Sequence, residues 1–175
     1  MTNLGTYVED GDRPAVRFER TYDHPVERVW AAVTEPDQLR RWFPATVTID
    51  LRVGGPITFS DDPSIEDRTG TILACDPPRT LAFTWGAEEL RFELARTEDG
   101  RCRFTLTDVL SDRSAAARQA AGWSVCLDEL DTLVAGGHPA GPHAANATAW
   151  QPLYDTYRAA GMPSGAPIPG VTAAR

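Results

Sequence analysis

Six short β segments follow one another at positions 46–51, 57–60, 68–75, 80–85, 90–97 and 101–110, with only turn-sized gaps between most of them. The separators include Gly54-Gly55-Pro56, Asp61-Asp62-Pro63-Ser64, Asp76-Pro77-Pro78 and Glu98-Asp99-Gly100, all built from turn-forming residues. Repeated short spacing of this kind implies an antiparallel meander. Behind it comes a single long amphipathic segment. Ala116, Ala120, Trp123, Leu127, Leu130 and Val134 recur at steps of four and three, giving an apolar stripe for a helix that Ser114 is placed to cap. Asp128, Glu129 and Asp131 fall on its other side, and Gly136-Gly137 ends it.

The last hairpin can be registered from the sequence. A two-residue Asp99-Gly100 turn would pair positions summing to 199, and Leu94 would then stand beside Thr105. A three-residue Glu98-Asp99-Gly100 loop pairs positions summing to 198, so that Leu94 faces Phe104, Phe92 faces Leu106 and Leu90 faces Asp108. A one-residue slip turns every side chain over, so the apolar pattern selects the second register. Gly100 then takes the left-handed position of the turn.

Ahead of the meander, residues 1–14 read as a flexible N-terminal arm. A half-buried strand follows on Val16, Phe18 and Tyr22. Pro25 and Glu27 suit a helix start, with Val26, Val29, Trp30 and Val33 at helical spacing, and Pro36 allows a second short helix to about Phe43. The core domain is thus expected over 15–137. Residues 138–175 read as a Pro/Gly linker, a short helix with Trp150, Leu153, Tyr154 and Tyr157 on one face, and a disordered tail from 164. The fold expected is α+β: a curved antiparallel sheet gripping one long helix, with two short helices after the first strand. A sheet sealed by so few helices tends to keep an internal cavity.

Charge and residue usage exclude several functions. The net charge is −8 without a basic cluster, which disfavours nucleic acid and anionic membranes as partners. All 17 basic residues are arginine, so Schiff-base chemistry and a P-loop lysine are absent. His24, His138 and His143 show no metal-ligand spacing, and no cofactor motif is present. Cys75, Cys102 and Cys126 are odd in number and read as buried reduced thiols. With no apolar run of membrane length, a cytoplasmic protein is expected, monomeric or homodimeric.

Several segments resemble the START-like, or SRPBCC, superfamily, and specifically homologues of the activator of the ninety-kilodalton heat-shock-chaperone ATPase. They are 20–30 (Arg20-Thr21-Tyr22-Asp23-His24-Pro25 onward), Leu39-Arg40-Arg41-Trp42-Phe43, Asp50-Leu51-Arg52-Val53-Gly54-Gly55, Gly70-Thr71-Ile72-Leu73, 76–85 and Gly122-Trp123, together spanning about 15–136. The resemblance implies a helix-grip sheet around a hydrophobic pocket. It also implies functions ranging from ligand carriage through cyclisation to chaperone contact. Where relatives carry histidine after a threonine late in the last strand, this chain has Thr107-Asp108.

Candidate ligand-binding residues are therefore Trp42, Phe59, Trp85, Phe92, Phe104, Asp108, Trp123 and Leu127, whose faces should converge on the concave side of the sheet. Asp108 shares a face with Cys102, Phe104 and Leu106, where burial would raise its pKa. Arg20, on the face of Phe18 and Tyr22, is placed to neutralise it. No complete catalytic constellation is present, and Asp108 is the one candidate acid or base. Three readings follow: a binder of a small hydrophobic or aromatic molecule, a cavity enzyme of the cyclase or hydrolase kind using Asp108, and a chaperone-contacting domain. The enzyme reading requires a second polar group converging on Asp108.

Overall fold

The computed structural model describes residues 3–169. Eight strands form one antiparallel sheet in the order β1-β2-β8-β7-β6-β5-β4-β3. They are β1 (Thr6–Asp10), β2 (Arg13–Tyr22), β3 (Thr46–Ile49), β4 (Pro56–Ser60), β5 (Arg68–Asp76), β6 (Thr80–Trp85), β7 (Glu88–Arg96) and β8 (Cys102–Val109). Strands β3 to β8 are the expected meander, each paired with its sequence neighbour. The β7–β8 register is the one the apolar pattern selects: Leu94 faces Phe104, Phe92 faces Leu106 and Leu90 faces Asp108. Gly100 has φ +80°, as its turn position requires.

The arm expected at 1–14 is in part a strand. Thr6–Asp10 pairs with Arg13–Arg17 through a two-residue turn at Gly11-Asp12, and Gly11 is left-handed at φ +63°. A two-residue turn with glycine in its first position carries hairpins, and this signal lay in the sequence. Because β1 lies at the sheet edge and none of its residues is fully buried, it lacks the strong alternation that reveals a strand.

Two short helices, α1 (Val26–Thr34) and α2 (Pro36–Leu39), bridge β2 and β3, with Pro36 opening the second as its fixed φ allows. The long helix α3 (Ala116–Val134) is entered through a 3-10 turn at Arg113–Ala115. Asp112, rather than Ser114, makes the cap: its Oδ1 accepts from the Ser114 amide at 2.9 Å. Every stripe residue of α3 is buried, and so are Ser124, Val125 and Cys126 beyond the stripe.

That second buried face exists because the last segment folds back. Helix α4 (Trp150–Ala159) buries Tyr154 and Tyr157 against α3. The Tyr157 hydroxyl sits 2.7 Å from Ser124 Oγ and accepts from the Gly5 amide at 2.8 Å, joining both ends of the described chain to the long helix. The segment after α4 runs back to the start of α3. Ala117 N–H donates to the Pro163 carbonyl at 2.9 Å and Ala166 N–H to the Ser114 carbonyl at 3.2 Å. The rest of the expected disordered tail, 170–175, lies outside the described residues.

Candidate ligand cleft beside the long helix

The sheet and α3 enclose a continuous aromatic cluster. Trp42, Phe59, Phe92, Phe104 and Leu127 are each at most 3% exposed. Phe92 contacts Trp42 at 6.0 Å, Phe83 at 5.5 Å and Phe104 at 5.6 Å between ring centroids. Phe43, which carries none of the expected site roles, touches Phe59, Phe83, Trp85, Trp42 and Trp123 and so ties the cluster together. The Trp42 indole donates to the Ala32 carbonyl at 2.9 Å, which fixes the turn after α2 against α1. Rings at these spacings fill space with one another.

The open space lies to one side. A cleft of about 600 Å³ runs along the outer flank of α3, bounded by the β4–β5 loop at Asp62, Ser64 and Ile65 and by the linker from Pro142 to Gln151. Of the eight residues expected to bind ligand, Trp85 and Trp123 line it. The other lining residues, among them Gly122, Gln119, Arg118, Trp150 and Ile168, come from the helix, the linker and the folded-back tail. Sequence reading gave the linker no part in the site because its Pro, Gly and Ala residues carry no chemistry; only their placement makes them a wall.

Gly122 is the position that most shapes the cleft. It stands inside α3, where glycine costs about 1 kcal/mol relative to alanine. A Cβ placed on it would meet nothing within 4 Å. Packing therefore does not require a glycine here, and the space it leaves belongs to the cleft.

Asp108 lies behind Trp123 at the inner end of this wall, fully buried. Its Oδ2 accepts from the Trp123 indole at 2.9 Å and from the Gln119 amide at 3.3 Å. The same Gln119 amide donates to Glu88 Oε2 at 2.8 Å. Glu88 and Asp108 thus share the Gln119 amide, and Oδ1 of Asp108 meets no donor among the described residues. Burial, then repulsion from Glu88, push the Asp108 carboxyl well above its ordinary value, and burial raises Glu88. Two carboxyls brought together in this way disfavour both being ionised at once.

The second polar group needed near Asp108 is thus Glu88, supported by Gln119. Both were accessible to sequence reasoning. Glu88 precedes Leu90 by two on the same strand face, and Gln119 precedes Trp123 by one helical turn.

Arg20 does not neutralise Asp108. In the β2–β8 register Val16 is opposite Asp108 and Arg20 is opposite Phe104, four residues or about 13 Å further along the strand. Arg20 instead reaches Asp131 at 3.4 Å, whose other oxygen accepts from the Tyr22 hydroxyl at 2.7 Å. Asp131 thus reaches the sheet while its side chain stays 42% exposed, and Glu129 accepts from the Gly141 amide at 2.8 Å, holding the linker to α3. The three thiols are free; Cys102 and Cys126 are buried, but Cys75 is only half-buried. Burial pushes the Cys102 thiol up to about 11. Among the described residues no His, Cys, Asp or Glu group is arranged to hold a metal, and no helix is long and apolar enough to cross a membrane.

A curved antiparallel sheet gripping one long helix, with two short helices after β2, is the helix-grip architecture of SRPBCC-type proteins. Residues 23–135 match the family described as activator of Hsp90 ATPase homolog 1-like protein, and the chain belongs to that family. Solved structures agree with the fold. The crystal structure of CalU16 from Micromonospora echinospora superposes with a TM-score of 0.60 at 26% identity, over 75% of this chain and 82% of that one. A Bordetella parapertussis protein solved by NMR gives 0.64 at 28% identity over 90% of each chain. A conserved protein of unknown function from Enterococcus faecalis gives 0.69 over 89% of each, and at 21% identity it shows the fold alone. No functionally curated protein matches the chain.

Proposed function

We propose that the protein binds a small hydrophobic or aromatic molecule in the cleft between α3, the β4–β5 loop and the linker. The observation that carries this reading is Gly122: a helix-interior glycine facing open space, with Trp85, Trp123 and Trp150 around the same volume. A volume near 600 Å³ suits a drug-sized molecule, and aromatic walls with a few polar groups are what such sites use. Titration with the neutral dye N-phenyl-1-naphthylamine tests it. Saturable dye fluorescence, quenching of Trp123 and Trp150 emission and a raised Tm are expected. Absence of all three removes the reading. Mass spectrometry of the natively purified protein would then identify the resident compound.

The Glu88–Asp108 pair favours a second reading, acid–base chemistry on a molecule held in the same cleft. A protonated carboxyl beside an ionised one is suited to proton transfer. Under this reading Asp108→Asn abolishes conversion of the bound compound but not its binding. The family description also suggests a chaperone contact. For that role Leu4, Leu51, Val53 and Leu73 are the large exposed apolar side chains among the described residues, all outside the cleft.

A further inference from the structure

We propose that the cleft selects ligands that carry an anionic group on an aromatic body, and that Arg118 receives that group; this rests on the cleft reading above. Arg118 lies in the first turn of α3 and lines the cleft beside Gln119 and Gly122. Its Nη1 donates to the Pro167 carbonyl of the folded-back tail, which holds one edge of the guanidinium. Nε is buried and meets no acceptor among the described residues. With Nη1 engaged and Nε enclosed, Nη2 is the donor left to make one charge-assisted hydrogen bond to a carboxylate or sulfonate in the cleft. Nε itself is enclosed, so a ligand's anion meets the guanidinium through Nη2 and through its charge, which no carboxylate among the described residues neutralises directly.

The carboxylates nearest Arg118 are already engaged. Asp112 and Glu88 both feel its charge. Asp112, however, accepts from the Ser114 amide and hydroxyl, and Glu88 from the Gln119 amide. Elsewhere arginines on this protein find partners readily, as Arg91 does with Asp10 at 2.7 Å and Arg113 with Glu9 at 2.8 Å. Among the described residues Arg118 forms no such pair. A second positive charge stands close by, since the Arg68 guanidinium lies 5.5 Å from the centroid of the Trp85 ring, itself a cleft wall. The opposing charge in the lining is Asp62, whose Oδ1 accepts from the Ser64 amide. His143 is held by the Pro44 carbonyl at 2.7 Å. The aromatic body of the ligand would lie against Trp85, Trp123 and Trp150.

Two dyes separate the anion from the aromatic body. N-phenyl-1-naphthylamine and 8-anilinonaphthalene-1-sulfonate share a ring system, and only the second carries a sulfonate. Arg118→Gln should weaken the sulfonate dye about tenfold, the effect of losing one charge-assisted contact, and change the neutral dye less than about twofold. Arg118→Lys should recover part of the loss, and Arg68→Gln should cost less than about threefold, as a charge acting at longer range. Unchanged neutral-dye binding also reports that each variant is folded. Gly122→Leu should exclude both dyes. If Arg118→Gln weakens both dyes equally or neither, the anion proposal is overturned while the cleft reading stands. Sulfonate-dye binding that survives Gly122→Leu places that dye elsewhere and overturns the proposal too. If neither dye binds the wild-type protein, the cleft reading itself fails.

Discussion

The two faces of α3 are built on opposite principles. Toward the sheet, Trp123 meets Phe43 and, with Leu127 and Leu130, belongs to one buried cluster with Phe92 and Phe104, in which neighbouring ring centroids lie 4.6–6.5 Å apart. Toward the linker, Gly122, Val125 and Cys126 border a volume of about 600 Å³ under a roof of chain held by single contacts, such as Glu129 to the Gly141 amide and His143 to the Pro44 carbonyl. One helix thus carries stability on one side and space on the other. The difference teaches that an aromatic set converging on a concave sheet need not line the space the protein keeps open.

If the core face carries stability, Phe92→Ala should have the largest effect. Phe92 is fully buried among Trp42, Phe83 and Phe104, and its removal should cost about 3–5 kcal/mol in chemical denaturation. A cost below about 1 kcal/mol would mean the cluster is loosely packed. Truncation after Gly137 should cost about 2–4 kcal/mol, from losing buried Tyr154 and Tyr157 and exposing the outer face of α3. It should also remove dye binding, because the linker wall goes with it. An unchanged unfolding midpoint would show that α4 contributes nothing to the fold.

Asp108 joins the two faces, and its variants sharpen the boundary. Asp108→Ala strands the buried Trp123 indole N–H and should cost about 1–3 kcal/mol. Asp108→Asn keeps the shape and the acceptor and should cost less. The pH dependence separates them further. Burial and Glu88 raise the Asp108 pKa above its ordinary 3.8, so the folded state holds this proton more tightly than the unfolded chain does. The stability it contributes is full below pH 3.8 and is lost as pH rises from there through the folded-state value. Asp108→Asn should therefore show a shallower fall in stability with rising pH than the wild type. Parallel curves would contradict a protonated Asp108.

Legibility in the sequence followed the same division. The core face was readable because it is periodic: the alternation of Leu90, Phe92 and Leu94 against Phe104 and Leu106 fixed the β7–β8 register, and the four–three stripe fixed the inner face of α3. The cleft face was not, since its walls are a linker of small residues and a tail segment whose position depends on Tyr157 finding Ser124. Arg20 was misassigned because residues on one strand face can still be a strand's length apart. Glu88 was missed although the Leu90–Asp108 pairing was read, because the strand was expected to begin at Leu90 and the structure begins it at Glu88.

The smallest expected effect on stability belongs to the most decisive variants. Gly122→Leu removes a helix-interior glycine into open space and should leave stability unchanged or raise it by about 0.5–1 kcal/mol. Phe92→Leu, in the core, should lower it. Titrating both folded variants with N-phenyl-1-naphthylamine tests where the ligand sits. The account predicts that Gly122→Leu abolishes binding while Phe92→Leu retains it within about threefold. Binding that survives Gly122→Leu but is lost in Phe92→Leu would place the ligand between the sheet and the helix and contradict the account.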